Sequence, residues 1–211
     1  AFASVPLREL HDAAKRLAGA TLNDAVLAVV AGALRCWLQR HHGQLGRVRI
    51  RVPVSLHEEG DDAGNRDSFF SVSLPLNEPD PVARLRAAQA ATAVRKADHD
   101  AEQMDHLLRA LGGISPRLGR FCARLEDSPR RFALSVSNVP GPPAPVTVLG
   151  APVESVHSLA EIGERHALRV AVVSMAGRLG FGLCADPAIV EGLGEMAAGV
   201  EAEAEALVRA A

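Results

Sequence analysis

Apolar positions recur at helical spacing near the start of the chain. Leu7, Leu10, Ala14 and Leu17 predict an amphipathic helix, led in by a short extended stretch at Phe2–Val5. Gly19 stops it, because glycine tolerates the left-handed backbone of a helix C-cap. Thr21 predicts the start of a second helix. Its hydroxyl can accept a free first-turn amide, and Asp24, three residues on, completes a capping-box-like pair near the positive helix end. From Ala25 to Leu38 the residues are apolar almost all round, the pattern of a helix buried on several sides, and Gln39, Arg40, His41 and His42 end it.

The next segments change period. Arg49–Val54 alternates polar and apolar, so it predicts a strand with one buried face. Pro53 lacks a ladder donor and belongs at an edge or a strand end. His57–Asp67 is charged and glycine-bearing, hence a surface loop, and Ser68–Leu76 is a second strand. Asp80-Pro81 caps and opens a helix to about Lys96, with further helices over Asp100–Leu111, closed by Gly112-Gly113, and over Pro116–Leu125. Phe132–Ser137 predicts a strand running into Asn138–Pro143, which is expected to be irregular. Short strands follow at Val146–Leu149 and Val153–His157, then a hairpin of Leu168–Met175 and Leu179–Cys184 around Ala176-Gly177. An amphipathic helix from Ala188 to about Arg209 closes the chain. This order predicts an α/β fold (an α+β sandwich), a mixed β-sheet with helices packed on one face, as a single domain over residues 1–211.

Composition narrows the class of function. The 211 residues are 48% hydrophobic, enough for a real core, and carry a formal net charge of −2, too little to draw the chain onto nucleic acid. Six Phe, Trp37 and no Tyr leave few stacking platforms for a single strand, so no nucleic-acid partner is expected. The longest run of apolar or small residues, Ala25–Leu34, falls short of the ~20 a spanning helix needs, and a soluble globular domain is expected. Cys36, Cys122 and Cys184 show no CxxC spacing and read as small buried hydrophobes of a reducing compartment. Neither an initiator Met nor a basic-then-apolar leader opens the chain, so we expect no signal peptide, a cytoplasmic location and a longer parent protein.

Candidate chemistry is sparse. His41-His42 are adjacent on a helix, so their side chains diverge by about 100°, and at a helix C-terminus they suit the negative dipole end. His11, His99, His106, His157 and His166 have no metal-ligand spacing, and no metal is expected. Gly177-Arg178-Leu179-Gly180-Phe181-Gly182 lies inside a hairpin, which speaks against a phosphate loop. Glu58, Glu59, Asp61 and Asp62 read as a solvated loop. Two segments remain open between structure and function. Asn23-Asp24 either caps its helix or braces a neighbouring segment. Ser137-Asn138-Val139-Pro140-Gly141-Pro142 is either a turn or a stiff loop bordering a cleft at a strand end, and the second reading is favoured.

Five stretches occur in a telling order: Thr21-Leu22-Asn23-Asp24-Ala25-Val26-Leu27-Ala28, Val52-Pro53-Val54-Ser55-Leu56, Gly64-Asn65-Arg66, Ser137-Asn138-Val139-Pro140-Gly141-Pro142 and Gly177–Leu183. Together the chain resembles the C-terminal half of the bacterial wax ester synthase/diacylglycerol acyltransferase family from about Phe2 onward. The resemblance implies half of a chloramphenicol-acetyltransferase-like fold, in which two α/β halves enclose a tunnel for acyl-CoA and an alcohol. It also implies that catalysis belongs to a His-His-x-x-x-Asp-Gly motif of the N-terminal half, whose second His acts as general base. After His41-His42 this chain has Gly46 and Arg47 where that motif needs Asp and Gly, so no catalytic residue is expected here. On the resemblance, Asn23 and Asp24 hold the tunnel geometry, while Ser137, Asn138, Pro140 and Gly141 form the loop beside the cleft. Gly64 and Asn65 form a structural turn, and His57 stands where an Arg is frequent.

The expectation is therefore the C-terminal half of a long-chain O-acyltransferase, moving an acyl group from acyl-CoA to diacylglycerol or a fatty alcohol to make triacylglycerol or wax ester. Its partners would be the N-terminal catalytic half, the two lipid substrates and, peripherally, a membrane or lipid droplet. No cofactor is expected, since acyl-CoA is a substrate. Two alternatives stand beside it: half of a condensation-type acyltransferase using carrier-bound acyl groups, and a non-catalytic interaction domain.

Overall fold

The computed structural model describes residues 1–55, 67–97, 128–129, 131–163 and 165–211. The elements are β1 (Phe2–Pro6), α1 (Leu7–Ala18), α2 (Leu22–His42), β2 (Arg49–Ser55), β3 (Asp67–Ser73), α3 (Pro81–Ala97), β4 (Leu134–Val139), β5 (Thr147–Val148), β6 (Ala151–Pro152), β7 (Leu168–Met175), β8 (Arg178–Ala185) and α4 (Leu193–Arg209). Six strands form one mixed sheet in the order β1-β8-β7-β4-β2-β3, and β5-β6 is a separate two-stranded ribbon. The central pairs β2–β4 and β4–β7 are parallel, while the outer pairs are antiparallel. The predicted α/β fold with a mixed sheet is what the chain builds, and the four described helices pack on one face of it.

Local signals set the helix ends. Gly19, at φ 62°, closes α1 by donating to Ala14 and Lys15 carbonyls. The Thr21 hydroxyl accepts from the Asp24 amide while the Asp24 carboxylate accepts from the Thr21 amide, a complete capping box. Asp80 accepts the Ala83 amide at 2.7 Å and so caps α3. The buried run of α2, Asp24 to Leu34 with Trp37, has no polar face because α1, α3 and α4 flank it and the sheet lies beneath it. Alternate strand residues complete this core: Val5, Ile50, Val52, Phe70, Val72, Leu134, Val136, Val170, Val172, Leu179, Phe181 and Leu183. Burying such side chains contributes roughly 1.5–3 kcal/mol each.

One polar cluster is sealed among the helices. Arg84 of α3 donates to the carbonyls of Ala28 (3.2 Å), Glu78 (2.9 Å) and Pro79 (3.2 Å) and forms an ion pair with Glu203 of α4. Gly32 makes room for this: a Cβ there would stand 2.4 Å from the Glu203 carboxyl carbon. Burial pushes the Glu203 carboxyl above the usual carboxylate range, partly offset by the Arg84 charge and by the hydrogen bond from Cys36. Burial likewise lowers the Arg84 guanidinium.

The structure departs from the sequence reading at several boundaries. Asn138 and Val139 are strand, not loop: β4 continues through them and pairs with Val172 and Val173 of β7. Residues 153–157 form no strand, and the ribbon is confined to Thr147–Val148 and Ala151–Pro152. The closing helix starts at Leu193, because Gly192 at φ 65° breaks the backbone ahead of it. Pro53 lies in a non-edge strand, yet β4 pairs only with Ile50 and Arg51, so Pro53 meets only β3. The readings at His57–Arg66, His99, His106, Cys122 and the helices over 100–111 and 116–125 lie outside the described residues.

Candidate functional site

Asp24 sits in the first turn of α2 and is buried, 2% exposed. Its Oδ2 accepts the Thr21 amide at 2.9 Å and the Thr21 hydroxyl at 2.7 Å, and its Oδ1 accepts the Thr92 hydroxyl of α3 at 2.6 Å. Both readings offered by the sequence are therefore met in one side chain, which caps α2 and braces α3. Asn23 is half-buried and lies outside that cluster. With these bonds its geometry is that of a tie between helices.

The segment at the end of β4 is placed differently. Ser137, paired with Ala171, lies on the sheet face away from the described helices, whereas Asn138 follows the parity of the face those helices cover and is half-buried. Pro140 is exposed. Gly141 approaches β7 so closely that a Cβ would stand 2.1 Å from the Ser174 carbonyl oxygen. Its amide donates to the Ser174 hydroxyl at 3.1 Å, and the Ala176 amide donates to the Pro142 carbonyl at 3.1 Å. The Pro140–Pro142 turn is thus pinned onto the end of the β7–β8 hairpin, a stiff rim at a strand end. Loops that a rigid scaffold holds in this way are frequent carriers of binding groups.

The sheet face away from the described helices holds what sequence reasoning missed. Residues 153–163 cross it, and glycines let them lie close: a Cβ at Gly180 would stand 2.0 Å from the Val156 carbonyl oxygen, and one at Gly182 1.9 Å from that of Ser158. The glycine-rich run of β8 is therefore a bed for a crossing segment. Beside this crossing lies a cavity of about 410 Å³, lined by Arg51, Phe69, Phe132, Ser135, His166 and Arg169 among others. The Arg51 guanidinium lies 3.5 Å over the Phe69 ring and 4.8 Å from the Phe132 ring, and His166 stacks on Phe132 at 4.3 Å. Polar positions at 51, 135 and 169 were visible in the strand alternation. The register that sets them side by side was not.

The histidine pair ends α2 as expected. Gly43 at φ 67° caps the helix, the His41 ring stacks on Trp37 at 5.0 Å, and Trp37 donates to the Glu191 carbonyl at 2.7 Å. Glu195 accepts from Arg40 at 2.5 Å, and that bond holds its carboxyl below the usual range. This end of α2 docks α4 and borders no described cavity.

Comparison with known proteins assigns this architecture. A Mycobacterium tuberculosis protein named as a diacylglycerol O-acyltransferase is 32% identical over 212 residues, covering 94% of this chain and 41% of the relative. The O-acyltransferase WSD of Acinetobacter baylyi is 28% identical over 184 residues, covering 86% of this chain and 40% of the relative. The chain thus spans less than half the length of these curated relatives. Among solved structures, the wax ester synthase/diacylglycerol acyltransferase of Marinobacter aquaeolei VT8 superposes with a TM-score of 0.72 at 24% identity, covering 98% of this chain and 48% of that one. The epimerization domain from the third module of tyrocidine synthetase B shares the fold at a TM-score of 0.57 and 12% identity. Residues 63–207, well over half of the sequence, match the model of the WS/DGAT C-terminal domain, and the chain belongs to that family.

Proposed function

We propose that this chain is the C-terminal half of a long-chain O-acyltransferase that transfers an acyl group from acyl-CoA to diacylglycerol or a fatty alcohol. The observation that carries the reading is the family match over residues 63–207, together with relatives named for that activity that are more than twice as long. In the proposed reaction a histidine of the N-terminal half takes the acceptor's hydroxyl proton. The alkoxide oxygen attacks the thioester carbonyl, the C–S bond breaks, and the CoA thiolate leaves with the proton. This chain's part is positional: it forms one wall of the substrate cleft, with the Pro140–Pro142 rim at its border. His41 supports that division of labour, since its ring is engaged by Trp37 and lies 3.7 Å from Glu195. An apolar acyl chain gains ~0.8 kcal/mol per buried methylene, which suits a cleft between two aliphatic halves. We place the protein in the cytoplasm, in peripheral contact with membrane or lipid droplet, where its two lipid products would collect.

The test is an ester-forming assay with radiolabelled acyl-CoA and either diacylglycerol or hexadecanol. It compares the 211-residue chain alone with the chain joined to the region that precedes the match in its relatives. The joined protein should make labelled ester and the chain alone should not. Turnover by the chain alone, or none by a folded joined protein with any acyl-CoA, overturns the proposal. A parallel reaction with carrier-bound acyl groups reads out the condensation-type alternative.

A further inference from the structure

We propose that the β5–β6 ribbon is a docking arm, and that it pairs with the region of a longer protein that precedes this match in the relatives. Between Asn138 and Glu154 no residue is charged, although charged residues make up 23% of the chain. Such a stretch suits a core, yet both strands of the ribbon are exposed. Of the eight large hydrophobic side chains exposed among the described residues, five are Val139, Val148, Leu149, Val156 and Leu159. A sixth, Phe2, packs against the His157 ring of the same segment at 4.9 Å. Exposed apolar residues scattered singly are ordinary; gathered on one segment they mark an interaction surface.

At the ribbon's tip Leu149 and Gly150 have φ of 52° and 84°, a turn whose two central residues are both left-handed. Asn or Asp before Gly is usual there, because a leucine Cβ crowds the backbone in that region. Leu149 nevertheless occupies the place, and its side chain is wholly exposed. Nothing the side chain gains within the described residues offsets that strain, so the contact it serves lies outside them. Both ends of the arm are clamped. Gly141 and Pro142 bond to Ser174 and Ala176, while Val156 and Ser158 lie on Gly180 and Gly182. A ribbon fixed at its base loses little freedom on docking.

Backbone chemistry selects the partner. Val153 donates to the Val146 carbonyl at 2.9 Å, so the alternation of an antiparallel pair turns the backbone groups of Thr147 and Pro152 outward. Hydrocarbon leaves such groups unpaired, whereas a strand edge of another protein segment bonds them. Residues 139–153 also hold no basic side chain with which to grip an anionic lipid surface. The relatives are more than twice as long as the part this chain matches, so they carry a further segment of the same polypeptide. That this segment is the partner rests on the proposed function; the exposed apolar arm does not.

Amide hydrogen exchange, without substrate, tests this on the 211-residue chain alone and on the joined protein of the ester assay. The amides of residues 146–151 should exchange about tenfold or more slowly in the joined protein than in the chain alone. Leu149→Asp should abolish that difference. Leu149→Gly fits the turn without strain, so it should leave the Tm of the chain alone unchanged or higher while still weakening protection in the joined protein. Ile189→Asp, at an exposed apolar residue outside the arm, should leave protection intact. Equal exchange in the two proteins, or protection indifferent to both Leu149 variants, overturns the proposal. So does protection that appears in the chain alone, whether on adding phosphatidylcholine vesicles, which assigns a lipid surface, or on raising its concentration, which assigns a second copy. A joined protein that protects the ribbon and makes no ester sinks only the acyltransferase reading. An active joined protein whose ribbon exchanges freely sinks only the docking arm.

Discussion

Replacing Asp24 by Ala removes a buried acceptor of three described hydrogen bonds at once, from the Thr21 amide, the Thr21 hydroxyl and the Thr92 hydroxyl. A hydrogen bond to a charged group is worth ~1.5–3 kcal/mol, but the sum is smaller than three such terms. Thr21 is exposed and regains water, and the Thr92 hydroxyl can turn wholly to the Gln89 carbonyl at 3.0 Å. What remains is the lost cap, ~1 kcal/mol, plus the severed tie between α2 and α3, together about 2–3 kcal/mol. For a chain of this size that lowers Tm by roughly 4–12 °C. Asp24→Asn keeps one acceptor oxygen and should cost about half as much. Urea unfolding followed by Trp37 emission reads the change, since Trp37, the single tryptophan, lies at the other end of α2. Thr92→Val completes a double-mutant cycle, with a coupling of about 1 kcal/mol expected. A loss below ~1 kcal/mol with zero coupling would refute the tie. So would an ester-forming activity abolished at unchanged stability, because Asp24 would then act on substrate rather than through the helices.

Two further changes probe the rest of the frame. Gly182→Ala places a Cβ about 1.5 Å inside the 3.4 Å at which ordinary contact with the Ser158 oxygen begins. The 153–163 crossing must therefore shift, at a cost of about 1–3 kcal/mol. Limited proteolysis should then cut within 153–163, and a wild-type digestion pattern would contradict the bed. Breaking the sealed ion pair by Arg84→Met should cost about 3–5 kcal/mol, with much of it recovered in Arg84→Met/Glu203→Leu, as urea midpoints will show. The pH dependence carries a definite sign. Burial raises the Glu203 carboxyl in the folded state, so folding takes up a proton there. That contribution is fully present below the ordinary value of 4.5 and is lost as pH rises through the folded value. Glu203→Gln should flatten the stability profile above pH 4.5, and an unchanged slope would contradict the raised carboxyl.

Much of the helix layer was legible because its signals are local. The glycine at position 19, the Thr21–Asp24 box and the Asp80-Pro81 opening each act within one helical turn, and each stands where the spacing puts it. The Ala176-Gly177 turn was readable for the same reason, with both residues at positive φ, 46° and 86°. The failures are non-local. Asn138 and Val139 look like the start of a Pro-Gly loop, yet parallel pairing with Val172 and Val173 keeps them extended. Gly180 and Gly182 read correctly as part of a hairpin, but only the path of residues 156–158 over them explains why side chains are excluded. The Arg51–Ser135–Arg169 row spans more than a hundred residues of sequence, so no window contains it.

The two faces of the sheet divide the work. One is closed by α1–α4 with aliphatic side chains to spare, and a ligand entering there would have to displace part of the core. Asp24 belongs to that closed side, so its influence on any cleft is transmitted through the placement of α2 and α3. The other face carries polar and small residues at successive strand positions: Arg51, Ser135, Ser137, Arg169, Gly180 and Gly182. Those residue types contribute little to a hydrophobic core. That polar face lies beside the pinned Pro140–Pro142 rim and the glycine-bedded crossing, whereas the helix side is filled by core. On that face the chain's part in the proposed acyl transfer is to be sought.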